Sequence, residues 1–122
     1  NTTFRNASGL PNPGQVSTAR DMAILGLALR RDFPSYYPFF KVQEFTYGGR
    51  TYTGHNRVLN RFDGVDGIKT GYTNASGFNL VSSAARGNTQ IVAVVMGGRT
   101  AASRDDQMVA LLDSAFEKAD RQ

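Results

Sequence analysis

The apolar and polar positions along the chain change character near residue 65. Before it, Met22, Leu25, Ala28 and Leu29 recur at helical spacing, which predicts a helix over 18–32 capped by Ser17 or Thr18, with Asp21 as a weak capping-box partner. The run Ser8-Gly9-Leu10-Pro11-Asn12-Pro13-Gly14 ahead of it reads as consecutive turns in a loop over 1–16. Pro34 and Pro38 break up the aromatic stretch Phe33 to Phe40, so at most a short helical turn is expected there, its rings serving the core rather than stacking on a ligand. Strand-like runs over 42–47 and 50–53 flank Gly48-Gly49, the loop of a small hairpin. Residues 55–63 show no period and read as a connecting loop. Three strand-length runs follow, over 65–72, 78–86 and 89–97, joined by links too short for anything but an antiparallel meander. The last of them, through Ile91 to Met96, is apolar on both faces and is expected to be a central strand covered on two sides. A final helix over 103–120 is expected to start at a Ser103 cap, with Asp105 and Asp106 in its first turn and Lys118 and Arg121 late. Met108, Leu111, Leu112, Ala115, Phe116 and Ala119 form its buried stripe.

Composition narrows the classes. At 122 residues the chain is one small domain at most, divided into a helical and loop part over 1–64 and a sheet with its final helix over 65–122. Without cysteine and with a single histidine, His55, it has no disulfide framework, no Cys-rich metal site and no Cys-His catalytic pair. No metal or organic cofactor is expected. The longest apolar run is Ile91 to Met96, far short of the roughly 20 residues a membrane helix needs. Asn1 to Asn6 has no cationic or apolar signal region, so any export signal is expected upstream. The formal charge of +4 comes from basic residues scattered among acidic ones, with Arg30-Arg31 the only adjacent basic pair, and this argues against a nucleic-acid partner.

The informative motif is Lys69-Thr70-Gly71 on the first strand of the meander. Alone, it is also what a solvated lysine, a strand-compatible threonine and a bulge glycine look like. On a strand, K-T-G is the third signature of the serine penicillin-recognising enzymes, whose other two are S-x-x-K and S-x-N. Around it, Ser8-Gly9-Leu10-Pro11, Thr18-Ala19-Arg20-Asp21-Met22-Ala23, Val65-Asp66-Gly67-Ile68, Gly77-Phe78-Asn79-Leu80-Val81 and Val95-Met96-Gly97-Gly98-Arg99-Thr100 stand in the order of the low-molecular-mass penicillin-binding proteins. From about Phe4 to Ala119 the chain resembles the D-alanyl-D-alanine carboxypeptidases of that group.

The resemblance implies an α+β, β-lactamase/transpeptidase-like fold, represented by the C-terminal portion of the domain. It implies that Lys69 supplies positive potential beside the catalytic serine and helps move protons, and that Thr70 hydrogen-bonds the substrate carboxylate. Gly71 would clear the strand edge so that the substrate peptide adds to it as a strand. The backbone N–H of Tyr72 would be one oxyanion donor. The Tyr72 side chain is a departure, since related carboxypeptidases often carry His there. Arg104 matches an arginine implicated in holding the terminal carboxylate; the plainer reading is an exposed arginine at the helix start, and Arg99 competes for the role. For Arg20 and Asp66 a structural ion pair or cap is the expected role, and His55 is expected on a surface loop.

None of the eight serines is followed three positions later by lysine or two positions later by asparagine. By the resemblance those signatures precede Ser8, so the nucleophile is expected outside these residues and the chain alone is expected to be inactive. The whole enzyme would release the terminal D-alanine of peptidoglycan stem peptides through an acyl-serine intermediate and be trapped by β-lactams, on the periplasmic or extracytoplasmic side of the membrane. A D,D-endopeptidase, a β-lactamase-like hydrolase and a non-catalytic peptide-binding module remain the alternatives. The resemblance also puts an N-terminal strand beside the last strand, so a second polypeptide or self-association along that edge is expected.

Overall fold

A computed structural model describes residues 1–120; Arg121, expected in the last helical turn, lies outside them. The elements in chain order are α1 (Ala19–Asp32), a 3-10 turn (Tyr37–Lys41), β1 (Glu44–Tyr47), β2 (Arg50–Thr53), α2 (Val58–Arg61), β3 (Val65–Thr73), β4 (Gly77–Arg86), β5 (Thr89–Gly98) and α3 (Ala101–Asp120). β3, β4 and β5 form one antiparallel sheet in that order, and β1 and β2 form a separate hairpin. The turns explain the register. Gly48 and Gly49 take φ of 59° and 76°, as a two-residue hairpin loop with the native twist demands. At the far end of β5 an extra residue bulges the strand between the Phe78–Gly98 and Leu80–Val95 pairs, and the Asn79 Oδ1 accepts the Gly97 N–H at 3.0 Å there.

Two helices cover the sheet. On one face Met108, Leu112 and Phe116 of α3 meet Leu80, Ala84 and Val95, joined by Val58, Phe62 and Val65. The other face receives α1 through Gly26, where an added Cβ would stand 3.0 Å from Ile68 Cδ1 and 3.3 Å from Val92 Cγ1. Because that contact runs through a glycine, Leu25, one residue and about 100° round the helix, stays exposed, against the expected stripe. On α3, Leu111 is exposed because Met108, Leu112 and Phe116 make the contact and Leu111 stands about 100° round from the fully buried Leu112.

Five further expectations change. β5 is covered on both faces but, among the described residues, pairs only with β4; β4 is the central strand. The segment 55–63 contains the single turn α2, whose Val58 is fully buried. Thr100, not Ser103, caps α3: its Oγ1 accepts the Ser103 N–H at 3.0 Å while the Ser103 Oγ accepts the Thr100 N–H at 3.2 Å. Thr18 does cap α1, accepting the Asp21 N–H, but the Asp21 carboxylate turns to the Thr2 hydroxyl instead of completing a box. Of the aromatic stretch only Tyr37 is core; Tyr36 and Phe39 are exposed.

Candidate functional site along the free edge of β3

Lys69, Thr70, Gly71 and Tyr72 follow one another on β3, the outer strand of the sheet. β3 lies there because its inner edge pairs residue by residue with β4, from Ile68 opposite Ser82 to Tyr72 opposite Phe78. Its backbone is tied further by the buried Ser82 Oγ, which donates to the Gly67 carbonyl at 3.0 Å. A cavity of about 690 Å³ opens beside Ile68, Lys69 and Thr70, walled by Phe39 and Phe40 of the 3-10 turn, by Val42 just after it and by His55 to Arg57. That volume is the size of an ordinary small-molecule site. Beside Gly71 there is open space: no atom lies within 4 Å of an added Cβ.

The electrostatics of the wall are one-sided. Lys69, Arg57 and Arg61 line the cavity, and no aspartate or glutamate does. Arg61 is held by Asp106 at 2.8 Å. The exposed Lys69 ammonium donates to the Thr70 carbonyl at 2.8 Å, a contact within its own strand that an anionic ligand can replace. A carboxylate entering here meets cations and the Thr70 hydroxyl with no like charge in the wall to repel it.

The other singled-out residues are elsewhere. Arg104 is 4% exposed, so it is not the exposed helix-start arginine of the plainer reading; its Nε donates to Asp105 at 2.9 Å. It is buried because Gly98 lets the start of α3 settle on the sheet, the Arg104 Cβ standing 3.1 Å from where a Gly98 Cβ would be. Gly98 ends the cross-strand row Tyr72–Phe78–Gly98, two strand spacings or roughly 9.6 Å from β3, and Arg104 is not in the cavity wall. Arg99 is exposed. Asp66 has the structural role expected, but with Arg30 (2.6 Å) rather than Arg20 as partner, and it also accepts from the Tyr37 hydroxyl at 3.2 Å. Burial raises the Tyr37 phenol above its ordinary 10.0, and the Asp66 charge acts in the same direction.

His55 is exposed as expected, yet lines the cavity, as do Asn56 and Arg57, which sequence reasoning passed over. Asn56 carries the only buried side-chain oxygen and nitrogen without a hydrogen-bond partner among the described residues. No sequence signal pointed to these three, since a polar segment without period predicts only a loop. Among the described residues no cluster of His, Cys, Asp or Glu fits a metal ion, and no helix is long and apolar enough to cross a membrane.

Comparison with known proteins accounts for the arrangement. A family model described as D-alanyl-D-alanine carboxypeptidase matches residues 1–100. D-alanyl-D-alanine carboxypeptidase DacA of Escherichia coli is 44% identical over 117 residues, covering 95% of this chain and 29% of that protein. DacF of Bacillus subtilis is 37% identical, covering 97% of this chain and 31% of its own length. The chain therefore spans under a third of these curated relatives. Penicillin-binding protein 5 of Haemophilus influenzae superposes with a TM-score of 0.91 at 39% identity, over 96% of this chain and 35% of that one. The ampicillin-bound penicillin-binding protein D2 of Listeria monocytogenes superposes at 0.86 and 30% identity, over 94% and 48%. The α+β fold of β3–β5 between α1 and α3 is that of the penicillin-binding proteins, and with its family model matched over residues 1–100 this chain belongs to the D-alanyl-D-alanine carboxypeptidase family.

Proposed function

We propose that these residues form the carboxylate-binding wall of a serine D-Ala-D-Ala carboxypeptidase acting on peptidoglycan stem peptides outside the cytoplasmic membrane, with the nucleophile on residues beyond the 122. The observation that carries this reading is Lys69-Thr70-Gly71-Tyr72 on an unpaired strand edge beside a cavity with cations and no carboxylate in its wall. The terminal carboxylate of the substrate binds Lys69 and Thr70. The peptide lies along the edge cleared by Gly71, and its scissile carbonyl accepts the Tyr72 N–H at the oxyanion position. A serine hydroxyl from outside the chain adds to that carbonyl, the C–N bond breaks, D-alanine leaves with the proton as its amine, and water then hydrolyses the ester. A β-lactam carries a carboxylate and a reactive amide carbonyl at similar separation and acylates the same serine. Arg104 enters this reading as support for the site from behind Gly98, and the free edge of β5 as the seat of the rest of the domain or of a second copy.

Release of D-alanine from a peptide ending in D-Ala-D-Ala tests the reading. The full-length protein carrying this chain is expected to release it and the isolated 122 residues are not. Lys69→Ala is expected to lower kcat/KM in the full-length protein by about 100-fold or more, the scale of losing one charge-stabilising group at a reacting centre. Release by the isolated chain, or an undiminished Lys69→Ala enzyme, would overturn it.

A further inference from the structure

The Tyr72 side chain is the part of the motif that this mechanism leaves unused, since only its backbone N–H is called on. The ring is 54% exposed at the end of the ligand edge. It is nevertheless held firmly. One face packs on Phe78, its cross-strand partner, with centroids 4.3 Å apart and planes at 37°. Its hydroxyl donates to the Asn74 Oδ1 at 3.0 Å. The turn bearing Asn74 is itself braced, with the Thr73 hydroxyl donating to the Ser76 Oγ at 2.7 Å and accepting the Ser76 N–H at 3.0 Å. A ring with one face packed, its tip tethered and the rest in water is a preorganised surface, so a ligand group that lies on it does not have to immobilise it first.

Direction follows from the two anchors of the proposed site. A ligand with its carboxylate at Lys69 and Thr70 and its carbonyl at the Tyr72 N–H runs along β3 toward the β3–β4 turn. Gly71 gives it no side chain to meet, and the next group along, on the acyl side of the carbonyl, arrives beside the Tyr72 ring. We infer that Tyr72 is a specificity-determining residue whose fixed ring takes the acyl-side substituent of the ligand, favouring apolar or planar groups there. This rests on the proposed reading of the edge and adds the chemical class of group that its far end selects.

The test compares two β-lactams that differ only in that substituent: benzylpenicillin, which carries a phenylacetyl group, and 6-aminopenicillanic acid, which carries none. Second-order acylation rates are measured on the full-length protein and on its Tyr72→Ala and Tyr72→Phe variants. The ratio of the two rates is expected to fall about fivefold to tenfold in Tyr72→Ala, the scale of one aromatic contact, and to stay within roughly twofold in Tyr72→Phe, which keeps the ring. A ratio unchanged in Tyr72→Ala overturns the inference however far both rates fall, because equal losses mean a backbone or folding effect. If neither compound acylates the unaltered protein, the acyl-serine reading fails and the inference with it.

Discussion

Gly71→Val separates the fold from the ligand edge. In most strands a glycine is kept because a side chain would collide or because its φ is positive; Gly71 has neither reason, with open space around its Cβ direction and no positive φ. A strand-interior glycine costs roughly 0.5–1 kcal/mol relative to a residue with a side chain, and valine is among the best strand formers. The variant is therefore expected to be more stable than the parent by about 0.5–1 kcal/mol, or about 2–6 °C in Tm for a domain of this size. The same isopropyl group stands where a ligand backbone would approach the edge, and binding of a D-Ala-D-Ala peptide is expected to weaken at least about tenfold, a loss of ~1.4 kcal/mol. Thermal unfolding and a peptide titration on the same samples read both quantities. Destabilisation by more than about 1 kcal/mol would mean the glycine serves the fold, in the manner of Gly77, whose added Cβ would meet the Gly98 carbonyl oxygen at 2.9 Å. Unchanged peptide affinity would mean the ligand does not use this edge.

Three further outcomes follow from the packing. Leu112→Ala, at a fully buried position in the α3 face of the core, is expected to cost about 2–5 kcal/mol in urea unfolding. Asp105→Ala leaves the Arg104 guanidinium, both side chains being 5% exposed, without its carboxylate; a loss of about 3–5 kcal/mol is expected, and one below ~1 kcal/mol would show that Arg104 finds another partner or water. Because the Tyr37 phenol is raised in the folded chain, folding favours its neutral form. That contribution is complete below the unfolded value near 10 and is lost as pH rises through the higher folded value, so unfolding midpoints should fall above pH 10, and less steeply in Tyr37→Phe.

How much of this was legible beforehand depends on the kind of signal. The meander was readable because Asn, Ser and Gly links interrupt β-rich runs, and the boundaries of β3, β4 and β5 lie within about a residue of those expected. The apolarity of β5 reports its two covered faces, but apolar pattern is silent about edges, and among the described residues only β4 pairs with it. α2 is a single turn, too short for a 3.6-residue period to register. The contact of α1 through Gly26 escapes any reading that counts large apolar residues, and the burial of Arg104 depends on a glycine in another element. Of the candidate site, Lys69 to Tyr72 are legible as a contiguous string on one strand. His55, Asn56 and Arg57 join them only through tertiary folding of a segment without pattern.

The most direct test of the β3 edge is a nitrogen–proton correlation titration of the 122-residue chain with an acyl peptide ending in D-Ala-D-Ala, using the L-Ala-L-Ala peptide as control. The account predicts saturable shifts centred on the backbone amides of Lys69 to Tyr72, with the L-peptide weaker. Shifts centred away from β3, or equal ones from the two peptides, would contradict it.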